Sequence, residues 1–133
     1  MEPEVSTSER FGFRALCVYA FAAALFLTLV MALLPDPPEL PIALSDKVQH
    51  AAAFAVLAAL AAGAWPGRLW QIAVALVILG GLIEILQMIP VLHRDAEFAD
   101  WATDVAATLA ALLVVRIFQR PSAAAAGPGD ALC

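Results

Sequence analysis

Three short stretches of this 133-residue chain carry the side chains that could do chemistry. Asp46, Lys47 and His50 form the first. Spacings of three and four put them on one helical face, where an imidazole can serve as general acid or base. Glu84 and Gln87, three apart, form the second. Arg94 leads the third; its planar fork can grip a phosphate or a carboxylate through two parallel hydrogen bonds. Asp100 and Asp104, four apart, complete it. His50, Glu84 and Asp104 together offer one nitrogen and two oxygen donors for a divalent cation. They contain no HExxH or other closely spaced ligand pair, so spacing alone assigns no metal and no cofactor. A Ser-His-Asp order, a glycine-rich phosphate loop and a Cys-His pair are all missing from the sequence.

The elements that must position these residues are apolar. Hydrophobic residues make up 63% of the chain and charged residues 14%, with mean hydropathy +0.88. Soluble domains are about 45–50% apolar and about 25% charged, so the composition is that of a membrane protein. Wholesale disorder is excluded by the same excess of apolar surface. A net charge of −5 with seven scattered Lys and Arg excludes nucleic acid as a partner. Cys17 and Cys133 cannot make a disulfide framework, and Cys17 reads as a small apolar helix residue.

Four spans follow from the hydropathy pattern. Residues 1–14 read as a cytoplasmic N-terminal segment, 15–120 as one four-helix transmembrane domain, and 121–133 (PSAAAAGPGDALC) as a disordered cytoplasmic tail. The first span, 15–34, is twenty uncharged residues, ~30 Å of helix and so one hydrocarbon thickness. It exceeds a signal-peptide core and runs into Pro35-Asp36-Pro37-Pro38, so it reads as a retained helix. A connector stiffened by Pro35, Pro37, Pro38 and Pro41 leads to Ser45, an expected N-cap. The second span is 46–64, where Ala59 with Gly63 and Ala51 with Ala55 have small-xxx-small spacing. Trp65-Pro66-Gly67-Arg68 is a turn flanked by interfacial tryptophans. The third span, 69–92, passes through Gly80-Gly81 and kinks or ends beyond Gln87, because Pro90 has no N–H for the carbonyl of Leu86. The fourth is 100–118.

Basic residues orient the bundle. Arg10, Arg14, Arg68, Arg116 and Arg120 lie at one set of ends, Lys47 and Arg94 at the other, which puts both termini in the cytoplasm. All eight candidates then meet at the outward end, with Glu84 the deepest charge. An ionisable group within a span costs about 2.5–3.5 kcal/mol on insertion scales, so a concentration of them at one end reads as a site.

Three of these stretches carry a resemblance. DKVQHAAAFAVLAAL (Asp46 to Leu60) resembles the Asp-Lys-x-x-His-x-x-x-Phe-x-x-Leu signature of the VanZ-like family of small bacterial membrane proteins. EILQ (Glu84 to Gln87) resembles that family's Glu-x-x-Gln, and RDAEFADWATD (Arg94 to Asp104) its approach to the last helix. The likeness runs from Asp46 to Leu113. Asp104 stands where the family usually has Asn, and Ala107 where it usually has Gly. The resemblance implies a multi-pass protein of the bacterial plasma membrane and a link to glycopeptide (teicoplanin) resistance, without implying a reaction.

Each candidate also has a structural reading. Glu84 and Gln87 suit an interhelical hydrogen-bond network. Asp46 suits a helix N-terminus, Lys47 can extend to headgroups, and His50 can be a satisfied interface histidine. Arg94 can pair with Asp95, Glu97, Asp100 or Asp104. The functional expectation is an outward-facing polar site that binds an envelope lipid or a cell-wall precursor headgroup, with membrane lipids as partners. The alternatives are a membrane enzyme on lipid headgroups using Glu84 or His50 as acid/base, and an ion-coupled transporter subunit.

Overall fold

The computed structural model describes residues 7–35, 45–94 and 96–119. Within them the chain is all-helical: α1 (Thr7–Leu33), α2 (Asp46–Ala64), α3 (Leu69–Gln87), a 3-10 turn (Pro90–Leu92) and α4 (Phe98–Gln119). Each of the four α-helices is long and apolar enough to cross a membrane. The expectations for residues 1–6, for Pro37, Pro38 and Pro41 of the connector, for Asp95, for Arg120 and for the tail 121–133 fall outside the described residues.

Helix ends follow local chemistry. The third helix stops at Gln87 rather than running to Leu92. Pro90 cannot donate to the carbonyl of Leu86, which instead accepts from the Ile89 N–H at 3.0 Å as the chain tightens into the 3-10 turn. His93 then takes a left-handed conformation (φ 47°). Gly67, at φ 82°, allows the reversal between α2 and α3 that a side chain would strain. Ser45 occupies the N-cap position of α2, but its hydroxyl makes no capping bond. Only its carbonyl serves, accepting from the N–H groups of Val48 and Gln49.

The helices alternate in direction around the bundle. At one end the Arg14 guanidinium on α1 donates to the carbonyl of Ala64 on α2 at 3.4 Å. At the other, the Gln87 amide on α3 donates to the carbonyl of Ala32, the last turn of α1, at 3.0 Å. Helix α2 is the hub, packing most extensively on α4 and next on α1, while α3 leans chiefly on α4. The core is accordingly alanine-rich: Ala58, Ala61, Ala62 and Ala73 surround Phe54, Leu57, Leu76 and Ile83. Small residues let the helix backbones approach one another closely.

The close contact is not where the Ala59/Gly63 spacing places it. Ala59 is exposed, and the buried stripe is Ala58, Ala61 and Ala62. Gly63 does meet α1: a methyl group there would lie 2.8 Å from the Cys17 sulfur. Most large apolar side chains point outward, including Phe11, Tyr19, Phe26, Trp70, Phe98 and Phe118. A surface this apolar is far beyond what a water-soluble monomer exposes. Trp65 departs from the interfacial pattern, packing edge-on against Phe21 with ring centroids 5.4 Å apart.

Candidate functional site

One end of the bundle gathers the start of α2, the end of α3, and the start of α4. The sequence makes that convergence by placing Asp46, Lys47 and His50 in the first turns of α2 and Glu84 and Gln87 in the last turn of α3. Asp100 and Asp104 lie in the first two turns of α4. An i,i+4 repeat on α4, Asp100, Asp104, Thr108 and Leu112, is the face it buries against its neighbours.

Lys47 lies between two carboxylates. Its Nζ donates to Glu97 Oε2 at 2.7 Å and to Asp100 Oδ1 at 2.9 Å. Asp100 is nearly buried, whereas Lys47 and Glu97 keep about half their side-chain surface open. One turn deeper, His50 Nδ1 faces both oxygens of Asp104, at 3.1 and 3.3 Å. Asp104 is only 1% exposed and His50 10%, so this carboxylate–imidazole pair is sequestered. The other ring nitrogen, Nε2, lies 3.9 Å from Asp46 Oδ2, too far for a hydrogen bond. Asp46 itself is mostly exposed.

Glycine makes the deep pair possible. A methyl group on Gly80 of α3 would lie 3.2 Å from Asp104 Oδ2 and 3.2 Å from Cδ1 of Trp101. Trp101 is fixed in turn by its indole N–H, which donates to the carbonyl of Val77 at 3.1 Å. The same helix–helix approach thus admits both the carboxylate and the indole.

Glu84 Oε2 accepts from the backbone N–H of Glu97 at 3.0 Å, while its Oε1 is buried with no hydrogen-bond partner among the described residues. Gln87, also buried, donates to Ala32 as described, a structural tie across the bundle. Arg94 is half-buried and, among the described residues, makes no ion pair with Glu97, Asp100 or Asp104. It lines a polar cavity of about 310 Å³ together with Asp46, Lys47, Gln87, His93, Glu97 and Asp100.

All eight sequence candidates therefore lie at one end. The structure joins Lys47 to Asp100, His50 to Asp104 and, loosely, to Asp46; Gln87 turns part of its polarity to the α1 terminus. Glu97, which the sequence offers only as a possible partner of Arg94, is the residue that ties the polar end together. It bonds Lys47 through its side chain and Glu84 through its backbone, and its carbonyl accepts from Asp100 N–H at 2.9 Å in the first turn of α4. Its position three residues before Asp100 is the one signal that pointed to it. Trp101 and His93 carry no signal in the sequence as contributors, whereas the Gly80-Gly81 pair marks a close helix approach that the structure places against Asp104 and Trp101.

Chemically the end offers three things: a sequestered imidazole oriented by a carboxylate, a cavity with a guanidinium that is unpaired among the described residues, and two overlapping sets of metal-type donors. Those sets are His50, Glu84 and Asp104, and Asp46, His50 and Asp100, each with donor atoms within 4.8 Å of one another. Fold and site together define an all-helical protein with four helices of membrane-crossing length and a polar pocket at one end of the bundle. No family model matches the chain, and neither a curated protein nor a solved structure does.

Proposed function

We propose that the chain is a multi-pass protein of the bacterial plasma membrane, similar to the VanZ-like family, with both termini cytoplasmic. Its polar end then faces outward and binds the anionic headgroup of an envelope lipid or lipid-linked cell-wall precursor. The basic residues support the orientation: Arg14, Arg68 and Arg116 flank one end of the helices, and Lys47 and Arg94 the other. Any bearing on glycopeptide (teicoplanin) resistance rests on the family resemblance alone.

The observation that carries the ligand class is Arg94. Lys47 is already engaged by Glu97 and Asp100, but Arg94 lines the cavity without an ionic partner among the described residues. A guanidinium left open in a polar cavity suits bidentate capture of a phosphate. The test is binding of a short-chain lipid diphosphate to the protein in nanodiscs of zwitterionic lipid. Arg94→Gln should weaken binding about tenfold or more, equivalent to ~1.4 kcal/mol or above. Unchanged affinity in Arg94→Gln would contradict the reading.

A second reading has its own observation. His50, held by Asp104 and with Nε2 free of hydrogen bonds among the described residues, is placed as an oriented acid/base for headgroup chemistry. It requires turnover of the bound lipid that falls by orders of magnitude in His50→Gln. Binding without turnover in the purified protein favours the first reading.

A further inference from the structure

The charge balance of the polar end is lopsided. Five carboxylates, those of Asp46, Glu84, Glu97, Asp100 and Asp104, face two fixed cations, Lys47 and Arg94. Lys47 answers Glu97 and Asp100. Glu84 and Asp104 remain deep in the bundle with only His50 between them and neutrality. Removing charges from water costs several kcal/mol per ion unless they are paired, so an excess of this kind calls for a counter-ion.

A second observation locates it. Glu84 Oε1 is wholly buried and has no hydrogen-bond partner among the described residues, while Oε2 is held by the Glu97 N–H. An orphaned carboxylate oxygen is a costly arrangement by itself, and it is the electron pair a cation would use. The neighbouring His50 side chain is nine-tenths buried. We propose that His50, Glu84 and Asp104 bind one divalent cation beneath the polar cavity, each residue giving one donor atom. The assignment uses the same end of the bundle as the headgroup reading but does not depend on it, since it requires no headgroup.

The geometry suits an ion. The three donor atoms lie within 4.8 Å of one another. With bonds of ~2.0–2.2 Å an ion spans donors up to about 4.4 Å apart, so small rotamer adjustments close the set. The pair already at 3.1 Å, His50 Nδ1 and Asp104 Oδ1, has the separation of adjacent ligands on one centre. Glu97 N–H on Glu84 Oε2 is the kind of outer hydrogen bond that aims a metal-bound carboxylate. One nitrogen and two oxygen donors with no thiolate favour manganese- or zinc-type ions over thiolate-seeking ones. Three protein ligands leave the remaining coordination positions to water or an added anion. The sequence names the same three residues as possible donors, but because they come from three helices it is the fold that brings their donor atoms together.

The probe is Mn²⁺ alone, titrated into chelator-treated protein in an uncharged maltoside detergent and followed by electron paramagnetic resonance. The expected result is saturable binding of one ion per chain, with nitrogen hyperfine coupling in the wild-type protein. That coupling should persist in His93→Gln. Glu84→Gln should weaken binding about tenfold or more, and Asp46→Asn should leave it within about threefold. Absence of saturable binding, or binding without nitrogen coupling, would overturn the proposal. So would loss of the coupling in His93→Gln, or an affinity that falls in Asp46→Asn while holding in Glu84→Gln, since the ion would then sit elsewhere. The wild-type coupling keeps the test decisive even if a variant fails to fold. Failure here with phosphate binding intact would leave the headgroup reading standing.

Discussion

Two cavities of nearly equal size occupy the two ends of the bundle, about 310 Å³ at the polar end and about 320 Å³ toward the other. Asp46, Lys47, Arg94, Glu97 and Asp100 line the first. The second is lined by Phe21, Ala61, Trp65, Ile72, Ala75 and Leu76, together with Arg68 and Gln71. Both ends use a glycine for close helix approach, yet to different purposes. Gly63 meets the sulfur of Cys17, an apolar contact between α1 and α2. Gly80 meets a buried carboxylate and an indole. Packing at one end closes the bundle; packing at the other holds charge in place.

That contrast can be broken. The largest expected effect belongs to Asp104→Ala, which leaves the sequestered imidazole of His50 without its partner. Losing one member of a buried charged pair costs about 3–5 kcal/mol. The unfolding midpoint in identical lipid nanodiscs measures it, and a loss under ~1 kcal/mol would show that Asp104 is not tied into the fold.

The two glycines sharpen the comparison at smaller magnitude. Gly80→Ala should cost about 1–2 kcal/mol, because two neighbours must move and Trp101 is anchored by its bond to Val77. Gly63→Ala should be close to neutral. The Cys17 sulfur can rotate away, and replacing a helical glycine returns up to about 1 kcal/mol of propensity. Equal losses at both sites, read from the same unfolding curves, would erase the distinction between the ends.

Much of this was legible in the sequence. The helices follow from hydropathy alone, and the stop after Gln87 follows from one missing N–H at Pro90. The gathering of Asp46, His50, Glu84 and Asp104 at one end follows from their positions relative to the helix termini in an antiparallel bundle. What sequence did not give were facts of rotation and approach. Ala59 looked like an interface residue but faces outward, because small-xxx-small spacing is shared by two faces of so alanine-rich a helix. Ser45 had the right type for a cap and yet uses only its carbonyl. Glu97 stood in the sequence only as a possible partner of Arg94, because its actual partners, Lys47 and Glu84, are contributed by other helices. The role of Gly80 depends on where α4 places Asp104, which no local pattern encodes.

The central claim is that the polar end retains Glu84 for a ligand rather than for stability, and Glu84→Gln tests it most directly. The substitution keeps an acceptor for the Glu97 N–H and removes only the charge, whose buried oxygen bonds to nothing among the described residues. Unfolding midpoints of wild type and Glu84→Gln in identical nanodiscs, free of added metal and phosphate, should therefore be equal or favour the variant. A fall approaching that of Asp104→Ala would make Glu84 part of an architectural network and contradict the account.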